Sequence, residues 1–196
     1  MLSFSWFLSA ISALGGLAIL AACGGGNGGG TIDAGAPSGE PAALTGITSA
    51  HNQVRTQVDT TGTSGPLSSL AWDDSLAATA AAWAHQCQDS DGDGEIDHNA
   101  GRSNGHSYYV GENIFASSGT ATASGAVTAW ASEAAHYHYA TNTCDVDAVC
   151  GHYTQLVWRA TQQVGCALAS CPQLRFSSVI VCDYGPGGNV NNQKPY

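Results

Sequence analysis

Gly151-His152-Tyr153-Thr154-Gln155-Leu156-Val157-Trp158-Arg159 is the densest run of chemically specific residues in the chain, and Cys150 stands directly before it. One imidazole sits there among aromatic rings and hydrogen-bonding side chains. Taken alone, His152 is either a core residue or a functional base or ligand. Two other stretches offer it carboxylates: Gly111-Glu112-Asn113-Ile114 and Trp130-Ala131-Ser132-Glu133. In the first, a Glu flanked by apolar residues suggests a carboxylate fixed at a structured edge. In the second, Glu133 shares a helical face with Trp130 and Tyr137, an unusual setting for an unpaired acid.

The bulk composition bounds what surrounds these motifs. A chain of 196 residues holds one ordinary domain and a tail. A hydrophobic fraction of 43% supports a core, and 25 glycines imply many turns and a tether. The net charge of −10, with only 5 Lys and Arg, argues against nucleic acid and against an anionic lipid surface. Asp89, Asp91, Asp93, Glu95 and Asp97 concentrate that charge in one short segment, for which cations are the natural partner. The 7 cysteines fit an oxidising compartment, and their odd number leaves one to explain.

The N-terminus offers the explanation. Residues 1–22 are apolar or small without a charged side chain, and end Leu20-Ala21-Ala22 before Cys23. This reads as an export signal. It resembles a bacterial lipoprotein signal, in which the cysteine becomes the lipidated first residue, although no Lys or Arg precedes the apolar run. Lipidation of Cys23 leaves six cysteines to pair. Residues 23–43 are rich in Gly, Ala and Pro and read as a flexible tether, so the domain is expected over residues 44–196. The expected location is a lipid-anchored cell envelope or the extracellular space.

Within the domain, Ile47, Val54 and Val58 mark one face of a helix over residues 45–58. His51 lies on that face and reads as a buried histidine bonded to backbone. Asp73-Asp74 cap a second, Ala-rich helix over residues 74–86, with Cys87 at its end. Residues 89–97 follow. Asp89, Asp91 and Asp93 take the first, third and fifth places of an EF-hand-like loop. Gly94, the Glu95 carbonyl and Asp97 take the sixth, seventh and ninth, while the bidentate Glu of the twelfth place is missing. The expectation is a modest Ca²⁺ loop. A third helix is expected over residues 122–139, and strands over residues 164–168 and 176–183.

These residues together resemble the CAP superfamily (the SCP domain of cysteine-rich secretory proteins, antigen 5 and pathogenesis-related 1 proteins). Gly151 to Trp158 matches one signature, and Cys182-Asp183-Tyr184-Gly185-Pro186-Gly187-Gly188-Asn189 the other. His51-Asn52 with Arg55, Leu70-Ala71-Trp72-Asp73, Gly111-Glu112-Asn113-Ile114 and Trp130 with Glu133 add to it. The resemblance implies an α+β fold: a three-layer α–β–α sandwich with a central antiparallel sheet, stabilised by disulfides. It implies the pairs Cys87–Cys171, Cys144–Cys150 and Cys166–Cys182. It also implies a cleft of two His and two Glu, here His152, Glu112, Glu133 and one upstream histidine. His98-Asn99 and His106-Ser107 both qualify for that last place. His98 is preferred because the Asp-rich stretch reads as an insertion just before it.

Two imidazoles with nearby carboxylates suit a divalent ion, Zn²⁺ above all, which the Glu residues ligate through water or serve by orienting the histidines. Two classes of function follow. The first is a non-enzymatic exported module that binds a lipid, a sterol, another small hydrophobic ligand or an envelope component. The second is a metal-dependent hydrolase with a Glu as base. The absence of a His-Glu-x-x-His motif favours binding. A third reading is an envelope protein whose cleft is a relic.

Overall fold

The computed structural model describes residues 39–196; the signal (1–22), Cys23 and the tether as far as residue 38 lie outside the described residues. Ordered packing starts ahead of Leu44. Glu40 turns back on the first helix, accepting from Gly46 N (2.6 Å) and Thr48 N (2.8 Å), and so fills donors that a helix start leaves open. That helix, α1 (Ile47–Gln57), buries Ile47, His51 and Arg55. A two-residue strand, β1 (Ala71–Trp72), precedes α2 (Asp74–Ala84), where the Asp73 carboxylate accepts from Leu76 N at 2.8 Å as the N-cap.

The strand β2 (Gly111–Ser117) leads to α3 (Ala123–Ser132). The third helix is shorter than its apolar spacing predicts. A single 3-10 turn over Glu133–His136 ends it, and the chain becomes β3 (Tyr137–His138). The cause is competition for the backbone. Asp145 N donates to the His136 carbonyl (2.9 Å), and β3 then pairs with β4 (Thr143–Cys144). The opening stretch forms α4 (Gly151–Leu156).

Of the two long strands, β5 (Gln163–Ser170) extends beyond the expected 164–168 at both ends, and β6 (Ser178–Gly185) lies two residues later than the expected 176–183. Among the described residues, four strands form the main sheet in the order β1-β5-β6-β2. It is antiparallel except for the short β1–β5 pair. Side chains alternate along β6 and divide the core. Val179 and Val181 meet Ala80 and Ala84 of α2 on one face, while Ile180, Cys182 and Tyr184 meet Leu44, Ile47, Trp130 and Leu156 on the other. Helices on both faces of the sheet make the three-layer α–β–α sandwich.

Small residues set the close approach of α2. A Cβ on Gly165 would lie 2.1 Å from Ala77 N and 2.5 Å from the Asp73 carbonyl. The two signature stretches meet through Gln155 of α4, whose Oε1 accepts from Gly188 N at 2.8 Å. The same oxygen leaves no room for a Cβ on Gly111, which would lie 2.0 Å away. Disulfides join Cys87 to Cys171, Cys144 to Cys150 and Cys166 to Cys182, the pairs that the resemblance implies.

His51 is a core residue. Its Nδ1 lies 2.7 Å from the Ile47 carbonyl and therefore carries the proton. Its Nε2 accepts from the Tyr184 hydroxyl at 2.8 Å. Burial, reinforced by the Arg55 charge and opposed by the Ile47 bond, pushes its pKa down to about 4, so the ring stays neutral. Arg55, also buried, donates to the carbonyls of Ser68 (2.8 Å), Leu156 (2.9 Å) and Trp158 (3.0 Å), tying α1 to the chain that leaves α4.

Candidate metal-binding cleft

β2 is an edge strand, and the cleft forms along its free edge. From the α2 side, His98 Nδ1 meets Glu112 Oε1 at 2.7 Å, and Asn99 N donates to the same oxygen at 2.9 Å. From the other side, His152 Nδ1 meets Glu133 Oε1 at 2.5 Å, while His152 N and Tyr153 N donate to Glu133 Oε2 at 2.9 and 3.0 Å. Two contacts hold β2 between them. Trp130 Nε1 donates to the Ile114 carbonyl (3.1 Å), and Asn113 Nδ2 donates to the His152 carbonyl (3.1 Å). The Trp130 ring lies nearly parallel to His152, at an interplanar angle of 20° with centroids 6.3 Å apart.

His98 and His152 line one cavity of about 320 Å³, with Ile96, Ile114 and Ala116 as its apolar part. Each Nδ1 is committed to a carboxylate, so each imidazole keeps Nε2 for a ligand. This is the carboxylate–histidine arrangement that orients metal-binding histidines. Among the described residues, only Asp89, Asp91 and Asp93 hold three donor atoms within 4.8 Å of one another. Glu112 and Glu133 thus stand behind their histidines and do not close a four-ligand cage. Burial raises the Glu133 pKa, but the bonds from His152 and from the Tyr153 and His152 backbone outweigh it and hold the carboxyl below its ordinary value.

One residue of this site had no role in the sequence reading. Glu112 Oε2 and both carboxylate oxygens of Asp183 are buried without a hydrogen-bond partner. Asp183 stands opposite Glu112 in the β2–β6 ladder. Burial and the neighbouring Glu112 charge push the Asp183 pKa up to about 8, with Arg102 opposing. The raised pKa favours the protonated form of Asp183, which is a donor for the neighbouring Glu112 carboxylate.

His106 lies elsewhere. Its Nε2 is 3.3 Å from Thr79 Oγ1 on α2, and its ring leans on Tyr108. The sequence also contains a Gly-x-Ser-x-Gly spacing, Gly101-Arg102-Ser103-Asn104-Gly105. It lies in turns, without the strand-to-helix elbow of a serine nucleophile, and Ser103 Oγ accepts from Val110 N at 2.9 Å. In the Asp-rich loop, the Asp89 carboxylate accepts from Gly92 N (2.7 Å) and Gly94 N (3.1 Å), and Asp97 accepts from Ser90 N (2.6 Å). Asp93, Glu95 and Asp97 of this loop also line the histidine cavity.

The profile of the cysteine-rich secretory protein family, CAP, matches residues 48–184. The chain belongs to the CAP family. This CAP domain is 42% identical over 147 residues to a pathogenesis-related protein 1 of Arabidopsis thaliana, covering 75% of the chain and 78% of that relative. It is 37% identical over 165 residues to a human GLIPR1-like protein 1, covering 80% of the chain and 64% of the relative. Among solved structures it is similar to Schistosoma mansoni venom allergen-like protein 4, with a TM-score of 0.63 and 26% identity, covering 80% of this chain and 95% of that one. It is also similar to a protein described as NaASP2 with Zn²⁺, with a TM-score of 0.59 and 26% identity, covering 79% and 84% of the two chains. The disulfides and the family together indicate an exported CAP protein. Among the described residues, no helix is long and apolar enough to cross a membrane.

Proposed function

We propose that this CAP protein is a non-enzymatic binding module, with a divalent ion held between His98 and His152 and an apolar ligand held in a separate groove between α1 and α3. The observation that carries the reading is the pair of histidines on one cavity, each with Nδ1 clamped by a Glu. Neutral imidazoles oriented in this way suit Zn²⁺, and a structural relative is described with that ion. The Asp-rich loop is proposed to take Ca²⁺ through Asp89, Asp91 and Asp93, with the Glu95 carbonyl and Asp97 completing the set.

A groove between α1 and α3 suits the apolar ligand. Ala50, Val54, Val127 and Ala131 line about 430 Å³ of it. It continues past Val58 and Ala134 to Tyr153, in a further space of about 210 Å³. A lipid or sterol tail is the chemistry that such a lining accepts. Hydrolysis is disfavoured because Glu133 has both oxygens committed to α4 and Glu112 is buried beneath His98. A general base must be free to take a proton.

Membrane tethering through a lipidated Cys23 rests on Leu20-Ala21-Ala22-Cys23 alone, and the reported relatives from a plant and an animal add nothing to it. Mass spectrometry of the mature N-terminus tests it, and an unmodified Cys23 thiol removes it. For the cleft, His152→Ala should remove one zinc equivalent from the purified chain; unchanged metal content refutes the assignment. For the groove, Ala131→Trp should abolish binding of a fluorescent fatty acid while zinc content stays as it was.

A further inference from the structure

Asp145 lies between two histidines that the cleft does not use. Its Oδ2 is 3.1 Å from His136 Nδ1, and its Oδ1 is 2.6 Å from His138 Nε2. All three side chains are about half exposed, at 53%, 55% and 45% for His136, His138 and Asp145. Exposed pairs of this kind add between nothing and about 1 kcal/mol to stability. Their arrangement is therefore not explained by packing.

The backbone beneath them is fixed independently. Tyr137 pairs with Cys144 and His138 with Thr143 in the β3–β4 ladder. Asp145 N donates to the His136 carbonyl at 2.9 Å, and Cys144 is anchored by its disulfide to Cys150. His136 closes the 3-10 turn and His138 ends the strand β3 that follows it. Here both imidazoles reach the same carboxylate.

We infer that His136, His138 and Asp145 form a second metal site, for a late first-row divalent ion such as Zn²⁺ or Cu²⁺. Two imidazoles and a carboxylate are the donor set that those ions take, whereas Ca²⁺ prefers oxygen alone. In a tetrahedral shell with bonds of about 2.0–2.1 Å, donors stand roughly 3.3 Å apart. The two nitrogen–oxygen separations, 3.1 and 2.6 Å, are already near that spacing, whereas the three donors together do not yet lie within 4.8 Å of one another. The two imidazoles close on the ion by side-chain rotation, which their exposure permits. The ion replaces the protons that now link each ring to the carboxylate. An open coordination position faces water at a cavity of about 630 Å³ that His136 and Asp145 line with Asp147. Glu133 also lines this cavity, but its oxygens are held by His152 and Tyr153.

The test is zinc uptake by the metal-stripped full chain at equilibrium dialysis against micromolar Zn²⁺. The His136→Ala/His138→Ala variant should take up one equivalent less than wild type. In a His152→Ala background one equivalent should remain, and adding the two histidine changes should remove it. Asp145→Asn, nearly isosteric, should weaken that equivalent at least about tenfold. Uptake by the double variant equal to wild type, with the His152→Ala background also unaffected by the two changes, overturns the inference. If His152→Ala changes nothing while the double variant loses one equivalent, the cleft reading fails and this site stands.

Discussion

Glu133 acts through His152. Its Oε1 holds the imidazole Nδ1 and its Oε2 caps the first turn of α4, so one carboxylate sets both the ring and the helix that carries it. Glu133→Gln keeps the size but removes the charge and one acceptor. It should weaken zinc binding at the cleft about 10–100-fold, measured by competition with a chromophoric chelator. Asp183 gives a second prediction. Its pKa rises from 3.8 to about 8, so the folded chain binds that proton more tightly than the unfolded chain. The stability from this linkage is complete below about pH 4 and is lost as pH rises toward 8. In chelator, wild type should lose up to about 1.4 kcal/mol per pH unit in that window beyond what Asp183→Asn loses. Parallel urea midpoints for the two proteins would contradict the account. Asp183 was not legible as a site residue, because its partner is set by the β2–β6 register. His98-Asn99 and His106-Ser107 both fit by motif, and the sequence favours His98 only through its place after the Asp-rich stretch. The loop path separates them, bringing His98 to Glu112 and leaving His106 on α2.

At the scale of elements, periodicity located α1 and α2 to within two residues, because an apolar stripe marks each one and the Asp73 N-cap fixes the start of α2. It overran α3, where Trp130, Glu133 and Tyr137 keep helical spacing past the point at which Asp145 captures the His136 carbonyl. It also gave no sign of β1, which lasts two residues and owes its existence to β5. α2 approaches β5 closely at Gly165. All three atoms that a new Cβ would meet are backbone, at 2.1, 2.5 and 2.7 Å, so none can move alone. Gly165→Ala should destabilise the domain by on the order of 3 kcal/mol or more, read from denaturant midpoints. A change within experimental error would show that α2 sits farther from the sheet.

For the whole molecule, the disulfides differ in how much of the chain they close. Cys87–Cys171 spans 84 residues and Cys144–Cys150 spans 6. On the loop-entropy argument the first contributes about 4.6 kcal/mol and the second about 2.4 kcal/mol. Paired Cys→Ala variants should therefore lose more thermal stability at Cys87/Cys171 than at Cys144/Cys150. The reverse order in calorimetry would reject the entropic explanation. The global fold was legible because motifs far apart in sequence meet: Gln155 of one signature bonds Gly188 of the other and packs on Gly111. The groove between α1 and α3 was not, since its lining is the ordinary apolar stripe of two helices. The most direct test of the central claim is an anomalous difference map at the zinc edge, from crystals of this chain soaked in Zn²⁺. The account predicts a peak within bonding distance of Nε2 of both His98 and His152. A map with no peak between those two nitrogens would contradict it.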